Sequence, residues 1–156
     1  TTDADDTLRF TIGRVEVSPG SPNTVPGKAL FTIDMRHPRD AVLVEHERKL
    51  EAIVTAKAGP CPARIEQVTN VAPTDFDPKV IGLVRDAANT LKLTNMDMPS
   101  GAGHDAGVLS LAGVPTAMLF VRNPTGVSHS PEEHAEESDA EAGVTALTAV
   151  VRRMAG

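Results

Sequence analysis

The sequence contains no Trp and no Tyr, and Phe occurs only four times in 156 residues. Any core must therefore be built from Val, Leu, Ile, Ala and Met. A single-stranded nucleic acid would find no aromatic platform on which to stack. Basic residues form no cluster or stripe, and the formal net charge is -6, so a nucleic-acid partner is not expected. There is one cysteine, Cys61, which has no internal disulfide partner. It favours a reducing compartment and, lying between two prolines with no histidine nearby, offers little as a nucleophile. No apolar run is long enough to span a bilayer, and the polar, acidic start is unlike a signal peptide. A cytoplasmic location without membrane contact is the expectation.

What is present is a chain rich in structured loops, with 12 Gly and 12 Pro. Charge is uneven: residues 1–72 hold nine basic and ten acidic side chains, and residues 73–156 hold six and eleven. Residues 9–17 alternate Phe10, Ile12, then Val15 and Val17. The slip beside Gly13 predicts a bulged strand. A proline-rich turn over 18–27 leads to a second strand over 28–36, with Phe31, Ile33 and Met35 on one face. Leu43, Leu50, Ile53 and Val54 predict a helix over 40–56, ended by AGPCP at 58–62. A third strand is expected over 63–71, completing a small α+β layer.

A boundary is expected near residue 72, with the second part running from 73 to 156. Pro78 opens a helix bearing Val80, Val84, Ala87, Ala88 and Leu91 on one face. A short strand over 93–98 follows, then the glycine-rich turn SGAGHDAG at 100–107 and a short helix closed by Gly113. TAMLFV at 116–121 reads as a buried strand. Ser130, Pro131 and Glu133 form a capping-box pattern that predicts a helix from there to about Met154. Helices alternating with apolar strands indicate α/β architecture.

Several polar residues stand out on local grounds. His129 follows an apolar segment, where α/β proteins place ligands, though an exposed loop histidine explains it equally well. Glu132 and Glu133 would sit favourably at a helix start whatever the function. His104 and Asp105 lie among glycines that bring backbone close to something, whether a ligand or a neighbouring element. Arg36 offers a planar fork for a carboxylate, with a surface ion pair to Asp34 as the plainer alternative. His37 reads as incidental, and His46 and His134 as solvated. The chain has no HxxEH, HExxH, CxxC, HxD, P-loop or GxGxxG pattern. A hydrolytic metal site needs about three protein ligands or more, and residue patterns alone do not supply them here.

Taken together and in order, PNTVPG (22–27), FTIDMRHP (31–38), PSGAGHDAG (99–107), PTAMLFV (115–121) and GVSHSPEE (126–133) resemble the hydantoinase/carbamoylase family of amidases. That family includes N-carbamoyl-L-amino acid hydrolases and allantoate amidohydrolases, within a wider group of two-metal aminoacylases and exopeptidases. The resemblance covers nearly the whole chain. It implies the C-terminal portion of a two-domain, metal-dependent amidohydrolase. Residues 1–72 would be part of a lid and dimerisation domain, and residues 73–156 an α/β segment of the catalytic domain. His129 would be the last metal ligand of a site for two divalent ions (zinc, manganese, cobalt or nickel). Asn23 and Arg36 would grip the substrate carboxylate in the active site of the other subunit of a homodimer. The backbone at Ser128 would also approach that carboxylate. His104 and Asp105 would support the site without ligating metal. The family's other ligands, its general base and its oxyanion-stabilising histidine have no counterpart in these residues. The chain alone is therefore expected to be inactive. The substrate implied is an N-carbamoyl or ureido amino acid. The rivals are an aminoacylase or dipeptidase of the same broad group, and a non-catalytic dimerisation or binding module.

Overall fold

A computed structural model describes residues 7–156. The elements in order are β1 (Arg9–Ser18), β2 (Lys28–Arg36), α1 (Asp40–Lys57), α2 (Pro78–Thr90), α3 (Asp105–Leu111) and α4 (Glu137–Ala155). The chain is thus a mixed α/β one with a two-stranded sheet and four helices among the described residues. Its contacts divide it into two units, Thr1–Pro73 and Thr74–Gly156.

In the first unit β1 and β2 pair antiparallel, from Arg9 opposite Arg36 to Ser18 opposite Lys28. The register shifts between Ile12 and Arg14, as the pattern around Gly13 predicts. The extra residue keeps Phe10, Ile12, Val15 and Val17 on one face, opposite Met35, Ile33, Phe31 and Ala29. Without it, Val15 and Val17 would point to the other side. That apolar face is largely uncovered: Ile12 is 53% and Val15 64% exposed.

The expected third strand over 63–71 does not form. These residues pair with no strand among those described, and Val68 and Val71 lie exposed. Alternation makes a segment suited to a sheet, but the ladder needs a neighbour with free N–H and C=O groups. The segment is tied instead to α1, where Gln67 Nε2 donates to Glu47 Oε1 at 3.1 Å.

One histidine corrects the sequence reading. His46, expected in solvent, is buried, and its Nδ1–H donates to the Val42 carbonyl at 2.8 Å. His37 is also buried, and its Nδ1 accepts from the Arg39 N–H at 2.9 Å where β2 gives way to α1. His134 is exposed, as expected, 3.5 Å from Glu136.

In the second unit α2 packs on α4 through small residues. Ala87 and Ala88 are buried on one helix, Ala146 and Val150 on the other, and Arg153 Nη2 donates to Thr90 Oγ1 at 3.3 Å. Asp77 caps α2, its carboxylate accepting from the Lys79 and Val80 N–H groups, with Pro78 in the first turn. The strands expected over 93–98 and 116–121 do not form, for the same lack of a partner ladder among the described residues. Residues 116–119 are half-buried; Phe120 and Val121 are exposed. Gly143 of α4 lies against this segment. A Cβ there would stand 2.8 Å from Val121 Cγ2 and 3.6 Å from Leu119 Cδ2. Gly143→Ala gains about 1 kcal/mol of helix propensity, but a stiff β-branched side chain must yield, at about 1–3 kcal/mol. The expected result is a lower denaturant midpoint.

Helices α2 and α3 end alike. Leu93 N–H bonds to Ala88 O and Lys92 N–H to Asn89 O; Val114 N–H bonds to Leu109 O and Gly113 N–H to Ser110 O. Both are Schellman turns with a left-handed residue after the cap, at φ 57° for Lys92 and 81° for Gly113. Glycine adopts that conformation without penalty and lysine does not. Lys92→Gly should therefore raise stability by about 1 kcal/mol in urea titration, and Gly113→Ala should lower it similarly.

The long last helix is the remaining correction. It begins at Glu137, not beside Pro131, and its flanking residue Glu136 supplies no side-chain cap. Residues 130–133 form an isolated turn, Glu133 N–H bonding to Ser130 O and Glu132 N–H to Ser130 Oγ. The Glu133 carboxylate, which a capping box would send to Ser130, is engaged elsewhere.

Large apolar side chains stand exposed on each unit, among them Ile12, Val15 and Val68 in the first and Val108, Leu111 and Val144 in the second. Much apolar surface on both units is uncovered.

Candidate functional site

The loop that carries His129 is built by one side chain. Asn123 Oδ1 accepts from Thr125 N–H at 3.1 Å, Thr125 Oγ1 at 2.9 Å and Gly126 N–H at 3.1 Å. Its Nδ2 donates to the Val127 carbonyl at 2.7 Å. Thr125 Oγ1 in turn accepts from Val127 N–H at 3.3 Å. Gly126 is left-handed at φ 67°, and so is His129 at φ 56°, although it carries a Cβ. From the far side the Glu133 carboxylate accepts the His129 N–H at 3.0 Å. This is where Glu133 goes in place of the capping box. Residue patterns alone do not single out Asn123, and they explain Glu133 by a helix start. The Asn-Pro-Thr-Gly turn signal at 123–126 was the available clue.

Ser128 and the His129 imidazole are exposed, and the ring makes no hydrogen bond among the described residues. An imidazole so placed is open to a metal ion as a single donor. The described residues contain no group of three or more His, Cys, Asp or Glu that could hold an ion. They therefore fit the part of one donor to a metal centre, not that of a whole centre.

In the glycine-rich turn, the Ser100 hydroxyl and His104 Nε2 are hydrogen-bonded at 2.7 Å, and Ser100 Oγ also accepts from Ala102 N–H at 3.2 Å. The His104 ring stands edge-on to Phe120, with centroids 5.7 Å apart and planes at 62°. Asp105 opens α3 and is exposed. Although adjacent in sequence, His104 and Asp105 share no hydrogen bond.

In the first unit Asn23 lies in the loop that joins the strands, its Oδ1 accepting from Ser21 Oγ at 2.7 Å. Arg36 ends β2 at the other end of the hairpin, and β2 is about 27 Å long. No hydrogen bond joins them. Arg36 is paired with Asp34, Nε to Oδ1 at 2.7 Å and Nη2 to Oδ2 at 3.0 Å, both side chains being half exposed. The hydrogen bond from Arg36, aided by its charge, holds the Asp34 carboxyl below its usual range against the opposing effect of burial, and Asp34 raises Arg36 in return. A depressed carboxylate contributes stability above its unfolded value and loses it as pH falls through the folded one. At this exposure the contribution is small. Two shallow concavities of the first unit, of about 370 and 450 Å³, are lined by none of the candidate residues.

These loops occur in a known setting. Residues 4–153 match the peptidase family M20/M25/M40, and the chain belongs to that family. Within it, the chain is 33% identical over 154 residues to an N-carbamoyl-L-amino-acid amidohydrolase of Paenarthrobacter aurescens, covering 97% of this chain and 37% of that protein. It is 34% identical to an allantoate amidohydrolase of Escherichia coli over 96% of its own length and 37% of the relative's. Among solved structures, a hydantoinase/carbamoylase family amidase from Burkholderia multivorans superposes with a TM-score of 0.85 at 37% identity, over 94% of this chain and 36% of that one. The chain thus spans about a third of the length of the relatives it matches.

Proposed function

We propose that the protein carrying this chain hydrolyses a linear amide or N-carbamoyl group on an amino-acid-like substrate, in a metal-dependent reaction. The observation that supports this most is the similarity, through almost the whole chain, to N-carbamoyl-L-amino-acid and allantoate amidohydrolases. The exposed His129 on its braced loop fits the same reading. Two divalent ions, when bound, would polarise the scissile carbonyl and activate water. His129 contributes one donor. Arg36 and Asn23 each supply a contact to the substrate carboxylate, reached from the partner subunit of a homodimer, and so fix the amide in place. Because they stand at opposite ends of the hairpin, both can touch one carboxylate only if the loop that carries Asn23 folds toward Arg36 on binding. The Ser128 backbone adds another contact, and Ser100 holds the His104 ring in one orientation beside the site. With an N-carbamoyl amino acid and one water, the products are the amino acid, carbon dioxide and ammonia.

The test is amide hydrolysis by the full-length protein on N-carbamoyl-L-amino acids, linear ureides and N-acetyl amino acids, with and without chelator. Chelator-sensitive turnover of the first two is the expected result. Turnover of N-acetyl amino acids or dipeptides alone would move the protein to the aminoacylase and dipeptidase branch. A dimer that binds no metal and turns over nothing would make it a binding or dimerisation module.

A further inference from the structure

We propose that Asn123 is a positioning residue for His129, fixing the direction in which the imidazole is offered to a metal ion. The inference rests on the reading of His129 as a metal donor. A histidine at φ 56° is in a conformation that its Cβ disfavours, so the segment around it must hold it there. Two devices do so, one on each side.

Upstream, the half-buried Asn123 amide makes four hydrogen bonds to residues 125–127, and the last, from Nδ2 to the Val127 carbonyl, falls two residues before His129. Downstream, Glu133 takes the His129 N–H itself. The peptide entering His129 and the one leaving Val127 are thus both tied, while the ring stays exposed. Asn123 is suited to this because one side chain presents an acceptor for the turn and a donor for the Val127 carbonyl. An aspartate could satisfy the three bonds at Oδ1 but would set an oxygen against the Val127 carbonyl. These bonds are confined to the loop and its flanking turn, away from the Ala87, Ala88, Ala146 and Val150 contact that holds the helices together. Losing them should disturb the aim of His129 more than the fold.

The experiment measures zinc affinity by competition with a chromophoric chelator, and the visible spectrum of the cobalt-substituted form, on the full-length protein. The variants are Asn123→Ala, Asn123→Asp, Glu133→Ala, Glu133→Gln and His129→Ala, each checked by circular dichroism. Loss of groups that orient a metal ligand typically costs about 10–100-fold in affinity. Asn123→Ala and Glu133→Ala should fall in that range and alter the cobalt bands. Asn123→Asp should lie between, and Glu133→Gln, which keeps an acceptor for the His129 N–H, should restore affinity. If Asn123→Ala does not fold, the aspartate and Glu133 variants decide the matter in the same way. Zinc affinity and cobalt bands unchanged in the Asn123 variants, while His129→Ala loses zinc, would overturn the positioning role and leave the donor reading intact. Unchanged binding in His129→Ala would remove the donor reading, and this inference with it.

Discussion

Arg36→Ala in the full-length protein should lower kcat/KM about 100-fold for N-carbamoyl amino acids and should affect a substrate amide lacking the carboxylate far less. A guanidinium fork gives a carboxylate two charge-assisted hydrogen bonds, each contributing about 1.5–3 kcal/mol. Removing even a net 3 kcal/mol corresponds to about two powers of ten. Arg36→Lys should recover only part of this, since a point charge replaces a planar fork. Equal kinetics for Arg36→Ala and the wild type would reduce Arg36 to the plain ion pair with Asp34 that the structure displays. Asp34→Ala separates the two roles of that pair. A lower kcat/KM would mean that Asp34 orients the fork, and a higher one that it competes with the substrate. Because Arg36 holds the Asp34 carboxyl below its ordinary range, the pair stays ionised through weakly acidic pH and breaks only as pH falls through that lowered value. Any loss of carboxylate binding at milder acidity must then come from the substrate or from other groups.

His129→Ala should have the larger effect on metal content. On the proposed reading a direct donor is removed instead of its support, so zinc affinity should fall by more than the roughly 10–100-fold typical of supporting residues. Metal analysis after dialysis should find the variant depleted, with activity restored only in part at high added zinc. Full metal content and activity in this variant would exclude His129 from the metal centre. His104→Ala offers a contrast. Its ring is engaged by Ser100 and packed edge-on to Phe120, so its loss should reduce turnover while leaving bound metal near the wild-type amount.

Local signals account for the elements that could be read directly. The alternation of Phe31, Ile33 and Met35 specifies β2, and the slip at Gly13 specifies the bulge that keeps β1 in phase with it. Pro78 marks the start of α2 because its ring fixes φ, and Gly113 the turn after α3 because glycine takes a left-handed φ without penalty. The segments 63–71, 93–98 and 116–121 carry the side-chain pattern of strands, yet a strand exists only with a partner, and none of the described residues supplies one. The start of the last helix misled for a related reason. Ser130, Pro131 and Glu133 have the chemistry of a capping box, but the His129 N–H took the Glu133 carboxylate and left the turn isolated. The braces on His129 are close in sequence, within six residues on one side and four on the other. Even so, their purpose depends on a left-handed backbone at His129 that its own residue type disfavours.

By itself, then, the sequence determined the bulged hairpin, the positions of the first three helices, and, through its ordered motifs, the family resemblance and the candidate residues. These follow from periodicity, fixed φ values and residue chemistry, all of which act over a few positions. Tertiary structure alone decided that His46 is buried, that Ala87 and Ala88 meet Ala146 and Val150, that Gly143 must stay small beneath Val121, and that His104 lies against Phe120. Those outcomes depend on which surfaces exclude water together, and burial is a property of pairs of segments that no single stretch of sequence carries.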